Sequence, residues 1–515
     1  MAHSQEVAKS TGFLERLADA LVDPRRRERT VVTVLLGYMV LWTLYAVVAK
    51  GSQDLHFDMG ELIAWSRQPA LGYPNHPPFA AWIVAAWFNI FPQADWAYYL
   101  LATANATLAL WIVWALSQHY LDSEKRLAGL ALLTLIPFFN FHALKFNANS
   151  VLLSLWAATT WWFLRSFETH SIAMAVLAGL GAGAAMLGKY WSIALIAGLG
   201  LAVLVDPRRG AYFASPAPWI TIAVGALVLA PHLAWLVAHD FAPIAYAAAK
   251  VAATGFPSVL ASVLRYLTSS IGYVAVPALL WLIATRPSSA ALLDGLWPST
   301  SDRRLVAVAF WAPLLLPVAA ALALGSLIHP LWAMPNMTLL SIVLLSSPLI
   351  VISRGAVVRL LAVAIALPIV ATLAAPIVAV AIHLIGVPTH AGHYRLLGGA
   401  IERAWRASSD RPLRFVGSDG QISNGVISYL THQTTTLNVV IPSWTPWADD
   451  ARIAHDGVAL VCSVKETICV EAIEALASRW APARPTRTEV QLVRHYLGIA
   501  GAPERYLIII VPPQP

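Results

Sequence analysis

The chain has 515 residues, of which 58% are hydrophobic and only 12% are charged, and its formal net charge is +7 at pH 7. Soluble proteins carry about 25% charged residues, so this composition excludes a water-soluble enzyme, a disordered chain and a fibrous protein. It predicts a polytopic membrane protein. In such a protein Lys and Arg mark cytoplasmic loops, so the positive charge gives no reason to expect nucleic acid as a partner.

The first apolar stretch covers residues 30–49 and follows a basic segment that contains Arg25, Arg26 and Arg27. It is long enough to span a bilayer and has no small-residue cleavage site. We therefore expect a retained first span rather than a signal peptide, with residues 1–29 as a cytoplasmic N-terminus.

Hydropathy predicts an all-α membrane domain over residues 30–385 with about eleven transmembrane helices of roughly 20 residues each. The predicted spans are 30–49, 97–117, 127–144, 150–165, 172–188, 190–205, 217–238, 259–285, 305–326, 331–352 and 359–385. A further apolar stretch, 77–91, begins with two prolines and is too short to span comfortably. We interpret it as an interfacial helix in the first outer loop, residues 50–96.

The loops between these spans differ in basic residues, which sets the expected orientation. One side holds Lys125, Arg126, Arg165, Arg208, Arg209, Arg286, Arg303, Arg304, Arg354 and Arg359. The opposite side holds only Lys50, Arg67, Lys145, Lys189 and Lys250. The first side is therefore expected to be cytoplasmic, and the loop 50–96 and the tail are expected to be periplasmic.

The composition changes near residue 386, because residues 386–515 hold 12 Lys/Arg and 11 Asp/Glu in 130 positions. Apolar runs suited to strands (413–416, 437–441, 458–464 and 506–511) alternate with a helical stretch at 470–480. This pattern predicts a small extramembrane α/β domain. Cys462 and Cys469 both lie in it, and the sequence leaves open whether they form a disulfide or stay as free thiols.

Ionisable and amide side chains are costly near hydrocarbon, so their positions are the best indication of function. Here they cluster at the predicted outer ends of the helices, at residues Asp54, His56, Asp58, Glu61, Asn75, His76, Lys145, Asn147, Asn149, Lys189, Tyr190, His239, Asp240, Arg265 and His329. A cavity that combines carboxylates with Lys and Arg suits a negatively charged, lipid-linked substrate. A carboxylate would act as base on an acceptor hydroxyl, and the cations would hold a phosphate as it leaves.

The order Asp58-Met-Gly-Glu61 followed by Leu71-Gly-Tyr-Pro-Asn-His-Pro-Pro-Phe79 resembles the first-loop signature of integral-membrane glycosyltransferases with the type C fold. More narrowly, it is similar to the bacterial dolichyl-phosphate-mannose-protein mannosyltransferase-like group, which includes lipid A aminoarabinose and galacturonic acid transferases. The strings at 145–149, 188–190, 215–219 and 231–235 match in the same order. The resemblance covers about residues 30–350.

This resemblance implies that Asp58 is the catalytic base or substrate orienter and that Glu61 is a second acidic residue of the same motif. It also implies that Lys189 and Arg265 face the lipid phosphate. Relatives often carry an acid at the position of Asn149, so a second carboxylate or metal ligand is missing here. We therefore predict no cofactor, although a divalent metal is not excluded.

Structural interpretations remain open for the two acids. Asp58 could be a solvated acid or a helix N-cap, Glu61 could complete a capping pair with it, and Asp54 is the alternative catalytic acid.

The other candidates also have structural explanations. His76 could simply end a loop before Pro77. Lys145 and Lys189 could be lysines that reach the membrane interface, and Arg265 could form a salt bridge with Asp58 or Asp240. Hydrogen bonds from the side-chain amides to backbone carbonyls would explain Asn147 and Asn149. A position in the aromatic belt at the membrane interface would explain His329.

Together these observations predict a sugar transferase in the bacterial inner membrane. The expected partners are a polyprenyl-phosphate sugar donor, a lipid or protein acceptor and membrane lipids. Two rival hypotheses remain: a transporter or flippase of a lipid-linked saccharide, and a non-catalytic scaffold that presents the tail. A transporter predicts a second polar cluster at the cytoplasmic helix ends, and a scaffold predicts that Asp58→Asn has no effect.

Overall fold

A computed structural model describes residues 12–514 of the chain. Residues 1–11, where the expected cytoplasmic N-terminus begins, and Pro515 lie outside the described residues. The helices before the tail are α1 (Phe13–Val22), α2 (Arg27–Ala49), α3 (Phe57–Ser66), α4 (Phe79–Phe88), α5 (Asp95–Ser117), α6 (Ser123–Thr134), α7 (Leu152–Thr169), α8 (Ile172–Gly188), α9 (Ile193–Val205), α10 (Arg209–Ala214), α11 (Ala217–Ala238), α12 (Ala242–Lys250), α13 (Phe256–Thr285), α14 (Ser289–Leu296), α15 (Ser301–Leu324), α16 (Leu340–Leu345) and α17 (Arg354–Ile385).

Six helices in the described part of the chain are long and apolar enough to cross a bilayer, namely α2, α5, α11, α13, α15 and α17. Several of them carry large apolar side chains on their outer surface, including Leu227, Ile271, Leu373 and Ile377, each at least 67% exposed. Apolar patches of this size on the surface of a protein indicate a membrane or a partner. With these helices the chain is a multi-pass membrane protein.

Two of the eleven predicted spans are not continuous helices. In 127–144, α6 ends at Thr134 and a 3-10 turn, Pro137–Phe139, follows. In 331–352, a 3-10 segment, Pro330–Leu339, precedes the short α16. Pro137 and Pro335 lie in these interruptions, but proline alone does not explain them, because α11, α13, α15 and α17 contain prolines and continue as α-helices. The predicted count of eleven is therefore not confirmed.

Close helix packing in the membrane domain depends on small residues. At Gly179 and Gly183 of α8 a Cβ would lie 2.6 Å from the Thr221 carbonyl oxygen and 2.7 Å from Val228, both in α11. Small residues allow membrane helices to approach closely without a hydrophobic driving force. This contact fixes α8, whose C-terminal end carries Lys189.

The tail after α17 is an α/β domain of one five-stranded sheet, one two-stranded ribbon and four helices. Its elements are α18 (Tyr394–Ser408), β1 (Phe415–Ser418), α19 (Gly420–Ile427), β2 (Thr435–Asn438), α20 (Asp450–Asp456), β3 (Val458–Ser463), α21 (Thr467–Arg479), β4 (Thr486–Leu492), β5 (His495–Tyr496), β6 (Ile499–Ala500) and β7 (Glu504–Val511). The four strands and the helix predicted from the sequence are all present, with ends shifted by up to three residues.

The sheet has the order β2-β1-β3-β7-β4, in which β2, β1 and β3 are parallel and β7 is antiparallel to both of its neighbours. Alternate residues of β3 face opposite sides, since strand side chains repeat every two residues. Ala459 and Val461 pack against α18 and α19, while Val458 and Leu460 pack against α20 and α21.

The two cysteines, for which the sequence left pairing open, form a disulfide. It joins Cys462 in β3 to Cys469 in α21, with a Cα–Cα distance of 5.9 Å. The bond links the central strand of the sheet to the helix that covers it.

Candidate active site

The candidate site begins at α3, a ten-residue helix in the first outer loop. The N-cap of α3 is His56, whose Nδ1 accepts a hydrogen bond of 3.1 Å from the Asp58 backbone N–H. Burial lowers the pKa of His56 to about 3, and Lys145 adds to this effect, so the ring is neutral at pH 7. Because His56 caps the helix, the carboxylate of Asp58 is not needed as an N-cap.

The Asp58 carboxylate instead turns toward the loop that precedes α7. Its Oδ2 lies 3.0 Å from Lys145 Nζ and accepts a 3.1 Å hydrogen bond from Asn147 Nδ2. Burial alone would raise the pKa of Asp58, but the Lys145 ammonium and these two hydrogen bonds lower it below its ordinary value. Asp58 is therefore ionised at neutral pH and is held by one cation and one amide.

A tight turn at residues 147–150 presents these side chains. Asn147 Oδ1 accepts hydrogen bonds from the backbone N–H groups of Asn149 and Ser150, and Ser150 Oγ accepts one from the Asn147 N–H. Asparagine side chains stabilise turns in this way by bonding their own backbone. The side-chain oxygen of Asn147 is thus used in the turn, and its NH2 group points at Asp58.

A continuous hydrogen-bonded chain runs from Asp58 through this turn to Lys189. Asn149 Oδ1 accepts a hydrogen bond from Lys189 Nζ, and the same ammonium lies 5.1 Å from the centre of the Trp332 ring. Lys189 is half-buried, and no carboxylate lies within ion-pair distance of it in the described ranges. Its side chain therefore faces only a neutral oxygen and an aromatic ring, and burial lowers the pKa of Lys189 to about 7.

Glu61 lies one helical turn after Asp58, and Asn75 Nδ2 donates a 3.3 Å hydrogen bond to its Oε1. Burial raises the pKa of Glu61 to about 8, and the negative charge of Asp58 contributes in the same direction. At neutral pH the two acids of this helix are consequently in different states, Asp58 ionised and Glu61 protonated.

His76 and Tyr190 lie beside this chain rather than in it. The His76 ring packs against Trp65 and Tyr246, and burial together with the Lys189 charge lowers its pKa to about 3. The Tyr190 hydroxyl is 2.8 Å from His232 Nε2, and His232 Nδ1 is 2.6 Å from the Leu71 carbonyl oxygen. Tyr190 thus ties the end of α8 to the first outer loop.

Arg265 and His329 lie near the cluster without direct bonds to it. The Arg265 side chain is exposed, and the predicted alternative, a salt bridge with Asp58 or Asp240, is absent from the described structure. The His329 ring accepts a hydrogen bond from the Leu331 N–H. Burial lowers the pKa of His329, and the charges of Lys189, Lys250, Arg265 and Lys145 reinforce the effect.

Asp54, the alternative acid in the sequence, has a different role. It is 2% exposed, its Oδ2 lies 2.5 Å from Arg494 Nη2, and it accepts a 3.0 Å hydrogen bond from the Arg395 backbone N–H. Both partners belong to the tail. Asp54 therefore anchors the tail to the first outer loop and is not available as a base.

The tail also packs directly on α3. A Cβ on Gly60 would lie 1.9 Å from the backbone carbonyl oxygen of Asn424, in α19. The Tyr429 hydroxyl accepts a 2.9 Å hydrogen bond from the Leu55 N–H, and Arg67 Nη1 donates one of 2.8 Å to the Thr434 carbonyl. The helix that carries Asp58 and Glu61 is thus held between the membrane domain and the tail.

Several residues of this region were given no functional role from the sequence, although His56 was among the clustered polar residues. His56, Trp332 and Lys250 contact or electrostatically influence the cluster, and His390 from the tail stacks on His56 with ring centres 4.5 Å apart. His56 and Lys250 lie in the polar outer loops, which was the available signal. No feature of the sequence indicated that His390 lies near this cluster. In residues 12–514 no group of three His, Cys, Asp or Glu side chains is arranged to hold a metal ion.

Parts of the chain are similar to known glycosyltransferases. Residues 75–235 match the family model described as dolichyl-phosphate-mannose-protein mannosyltransferase. The chain is 27% identical over 216 residues to the lipid A galacturonosyltransferase RgtD of Rhizobium johnstonii, covering 41% of this chain and 44% of that protein. It is 29% identical over 245 residues to the lipopolysaccharide core galacturonosyltransferase RgtB of the same organism, covering 46% and 48%.

Among solved structures, ArnT from Cupriavidus metallidurans superposes with a TM-score of 0.61 at 14% identity, covering 93% of this chain and 97% of ArnT. The chain has the ArnT fold. The structure of ArnT bound to undecaprenyl phosphate superposes with the same TM-score, identity and coverage. The resemblance to integral-membrane glycosyltransferases of the type C fold is thereby confirmed. The chain spans about half the length of the two galacturonosyltransferases that it matches, and the ArnT fold is shared along almost its whole length.

Proposed function

We propose that this protein transfers a sugar from a polyprenyl-phosphate donor to an acceptor, lipid A or another glycolipid, at the periplasmic face of the bacterial inner membrane. The observation that carries the proposal is the hydrogen-bonded chain from Asp58 to Lys189 at the ends of apolar helices. It places an ionised carboxylate and two lysines together beside the membrane. The relatives that act on lipid A or lipopolysaccharide core, and an ArnT structure with undecaprenyl phosphate, support the same reading.

In this mechanism the cations hold the donor phosphate. Lys189 has only an amide oxygen and an aromatic ring as partners, so an anionic phosphate supplies the charge that it lacks. As the bond between the sugar and the phosphate breaks, negative charge grows on the phosphate oxygens, and a fixed ammonium stabilises that charge most in the transition state.

Asp58 accepts the proton of the acceptor hydroxyl. With Lys145 on its Oδ2, the carboxylate is a weak base. A phosphate that enters beside Lys145 competes with Asp58 for the Lys145 ammonium. As the ammonium moves away from Asp58, the basicity of the carboxylate rises. Donor binding would therefore activate the base. The sugar is attacked on the face opposite the leaving phosphate, so transfer inverts the anomeric configuration.

The orientation is part of this proposal and is supported by the distribution of basic residues between loops. It places residues 50–96 and 386–515 in the periplasm, residues 1–29 in the cytoplasm and the membrane domain at 30–385. A periplasmic tail also agrees with the Cys462–Cys469 disulfide, because disulfides persist in oxidising compartments.

The test compares envelope glycolipids by mass spectrometry in cells that carry wild-type protein, a deletion or Asp58→Asn at matched membrane expression. We expect one glycolipid to lose a single sugar in the deletion, and transfer to fall at least 100-fold in Asp58→Asn, the range of general-base catalysis. Asp302→Asn is the matched control, since this exposed aspartate pairs with Arg208 in a loop assigned to the cytoplasm. Normal glycolipids in Asp58→Asn cells would reject Asp58 as the base.

A further inference from the structure

A second polar cavity lies outside the Asp58 cluster, between the first outer loop and the tail. Its volume is about 410 Å³, and its charged lining consists of Arg67, Arg414 and Arg452 with His432, His455 and Asp456. Arg67 directly follows α3, Arg414 precedes β1 and Arg452 lies in α20. The cavity thus joins the helix of the candidate base to the sheet of the tail.

None of the three arginines of this cavity has a carboxylate partner in the part of the chain that the structure describes. Arg67 donates to the Thr434 and Leu430 carbonyls and to Gln93 Oε1. Arg452 donates to the Trp447 carbonyl and stacks on the Phe415 ring. Arg414 makes no side-chain hydrogen bond there. The one acid of the lining, Asp456, lies 2.8 Å from the His455 ring.

Most arginines elsewhere in the tail are compensated. Carboxylates lie within ion-pair distance of Arg395, Arg406, Arg479, Arg487, Arg494 and Arg505. Three uncompensated guanidinium groups that face one cavity therefore form a local concentration of positive charge. Guanidinium groups bind phosphate and carboxylate in a bidentate manner and are the usual choice for such anions.

Two buried polar atoms of the lining also lack a hydrogen-bond partner among the described residues. They are Arg67 Nε and Thr435 Oγ1, and Thr435 is only 3% exposed. Burial lowers the pKa of Arg67 to about 10, which shows that its charge is poorly solvated. Buried polar groups are nearly always bonded, so both atoms are suited to a ligand that supplies acceptor oxygens.

We infer that this cavity binds an anionic group of the acceptor, a phosphate carried by the glycolipid headgroup. The inference rests on the proposed function and assigns it an acceptor subsite. Arg67 follows Asp58 by nine positions along α3, which corresponds to about 14 Å at 1.5 Å per residue. When the acceptor hydroxyl of a glycolipid reaches Asp58, a phosphate bound in this cavity is therefore separated from that hydroxyl by some sugars. The phosphate then lies outside the hydrocarbon, beside the tail.

The binding experiment uses the full-length protein in detergent with pyrophosphate as the probe. We expect pyrophosphate to raise the thermal midpoint of the wild-type protein. That shift should shrink markedly in Arg414→Gln/Arg452→Gln and stay unchanged in Arg403→Gln, which removes an exposed guanidinium of α18 outside this cavity. Lys189 offers pyrophosphate a second site, so the difference between variants is the readout. Equal shifts in all three proteins would overturn the cavity as an anion site.

The kinetic experiment assigns the source of the anion. With a phosphorylated acceptor, Arg414→Gln should raise the acceptor KM about tenfold or more and leave kcat near the wild-type value, because charge-assisted hydrogen bonds are lost in binding. Arg414→Lys should retain part of the affinity. With the dephosphorylated acceptor, wild type and Arg414→Gln should have the same KM. If free phosphate changes the rate equally with both acceptors, the cavity binds a free anion and the acceptor assignment is wrong.

These outcomes separate the inference from the proposed function. A wild-type protein that binds pyrophosphate through Arg414 but transfers no sugar would refute the transferase and leave no acceptor to assign. An active enzyme with the same acceptor KM in Arg414→Gln would refute the subsite alone.

Discussion

Asp58 and Glu61 lie three residues apart in one helix, yet their surroundings favour opposite protonation states. Lys145 and Asn147 stabilise the charge of Asp58, whereas Glu61 has a single amide donor and a negative neighbour. Carboxyl pairs whose pKa values are separated in this way commonly divide the work of an acid–base site. Glu61 in its neutral form also avoids placing a second negative charge where an anionic donor must bind.

This difference predicts a specific pH dependence. The pKa of Glu61 is about 8, so the neutral form is lost as the pH rises through that value, and we expect activity to fall with it. Asp58, with its lowered pKa, remains ionised across the whole range. Glu61→Gln cannot ionise and should remove the part of the decline near pH 8, while the part due to Lys189, whose pKa burial lowers to about 7, should remain. The measurement is the rate of sugar transfer between pH 6 and 9.5 in both proteins. A decline that persists unchanged in Glu61→Gln would assign it to another group.

The sequence predicted which residues gather at the outer face but not how they bond. Asp58, Lys145, Asn147, Asn149 and Lys189 were all candidates because they are polar residues at helix ends. Their order in the hydrogen-bonded chain depends on the turn at 147–150, which forms through side-chain to backbone bonds that no periodicity shows. The catalytic roles of these residues remain predictions.

At the scale of elements, the contact between α3 and α19 is the tightest feature near the site. Gly60 lies in the middle of α3, where alanine would normally stabilise a helix by about 1 kcal/mol. Here the added methyl group would overlap a backbone carbonyl oxygen of α19. Neither helix can move freely, because α3 also packs on α4 and α19 packs on the sheet.

We therefore expect Gly60→Ala to lower the stability by about 1–3 kcal/mol, the usual cost of overpacking, and to reduce activity through a displaced α3. The matched control is Gly37→Ala in α2, where no atom lies within 4 Å of the new Cβ. That variant should be as stable as the wild type or slightly more so. Thermal unfolding in detergent measures both, and equal midpoints would show that α19 yields without cost.

Hydropathy predicted long elements well and irregular ones poorly. The helices α2, α5, α11 and α17 begin and end within five residues of the predicted spans, because a uniform apolar run of this length has one stable form in a membrane. The segments around Pro137 and Pro335 share that composition but form 3-10 turns, and single prolines do not account for the difference, because α11 and α17 also contain prolines. Strand β4 was missed because its side chains are mostly exposed and polar, and β5 and β6 were missed because they have only two residues each.

Across the whole molecule, the buried pair of Asp54 and Arg494 connects the first outer loop to the tail. The Asp54 side chain is 1% exposed and that of Arg494 12%. Removing one member of a buried pair leaves an uncompensated charge and costs about 3–5 kcal/mol. An exposed pair of the same tail, Arg505 with Glu489, is worth less than about 1 kcal/mol.

Asp54→Asn should therefore loosen the tail, whereas Glu489→Gln should not. Limited proteolysis of detergent-solubilised protein measures the effect as the rate of cleavage near residue 386, which we expect to increase at least tenfold in Asp54→Asn only. Similar cleavage rates in both variants would indicate that the hydrogen bonds of Arg67 and Tyr429 hold the tail without Asp54.

The separation of Asp54 and Arg494 by 440 positions sets an order for biosynthesis. At about 5–20 residues per second, the ribosome needs roughly 20–90 s to add Arg494 after Asp54. Throughout that interval Asp54 has no Arg494 to pair with, and for most of it Gly60 has no α19 against it. The candidate site near residue 58 is thus completed by residues that are synthesised much later, and a nascent chain that stops before Arg494 would contain the six long apolar helices but leave Asp54 without that cation.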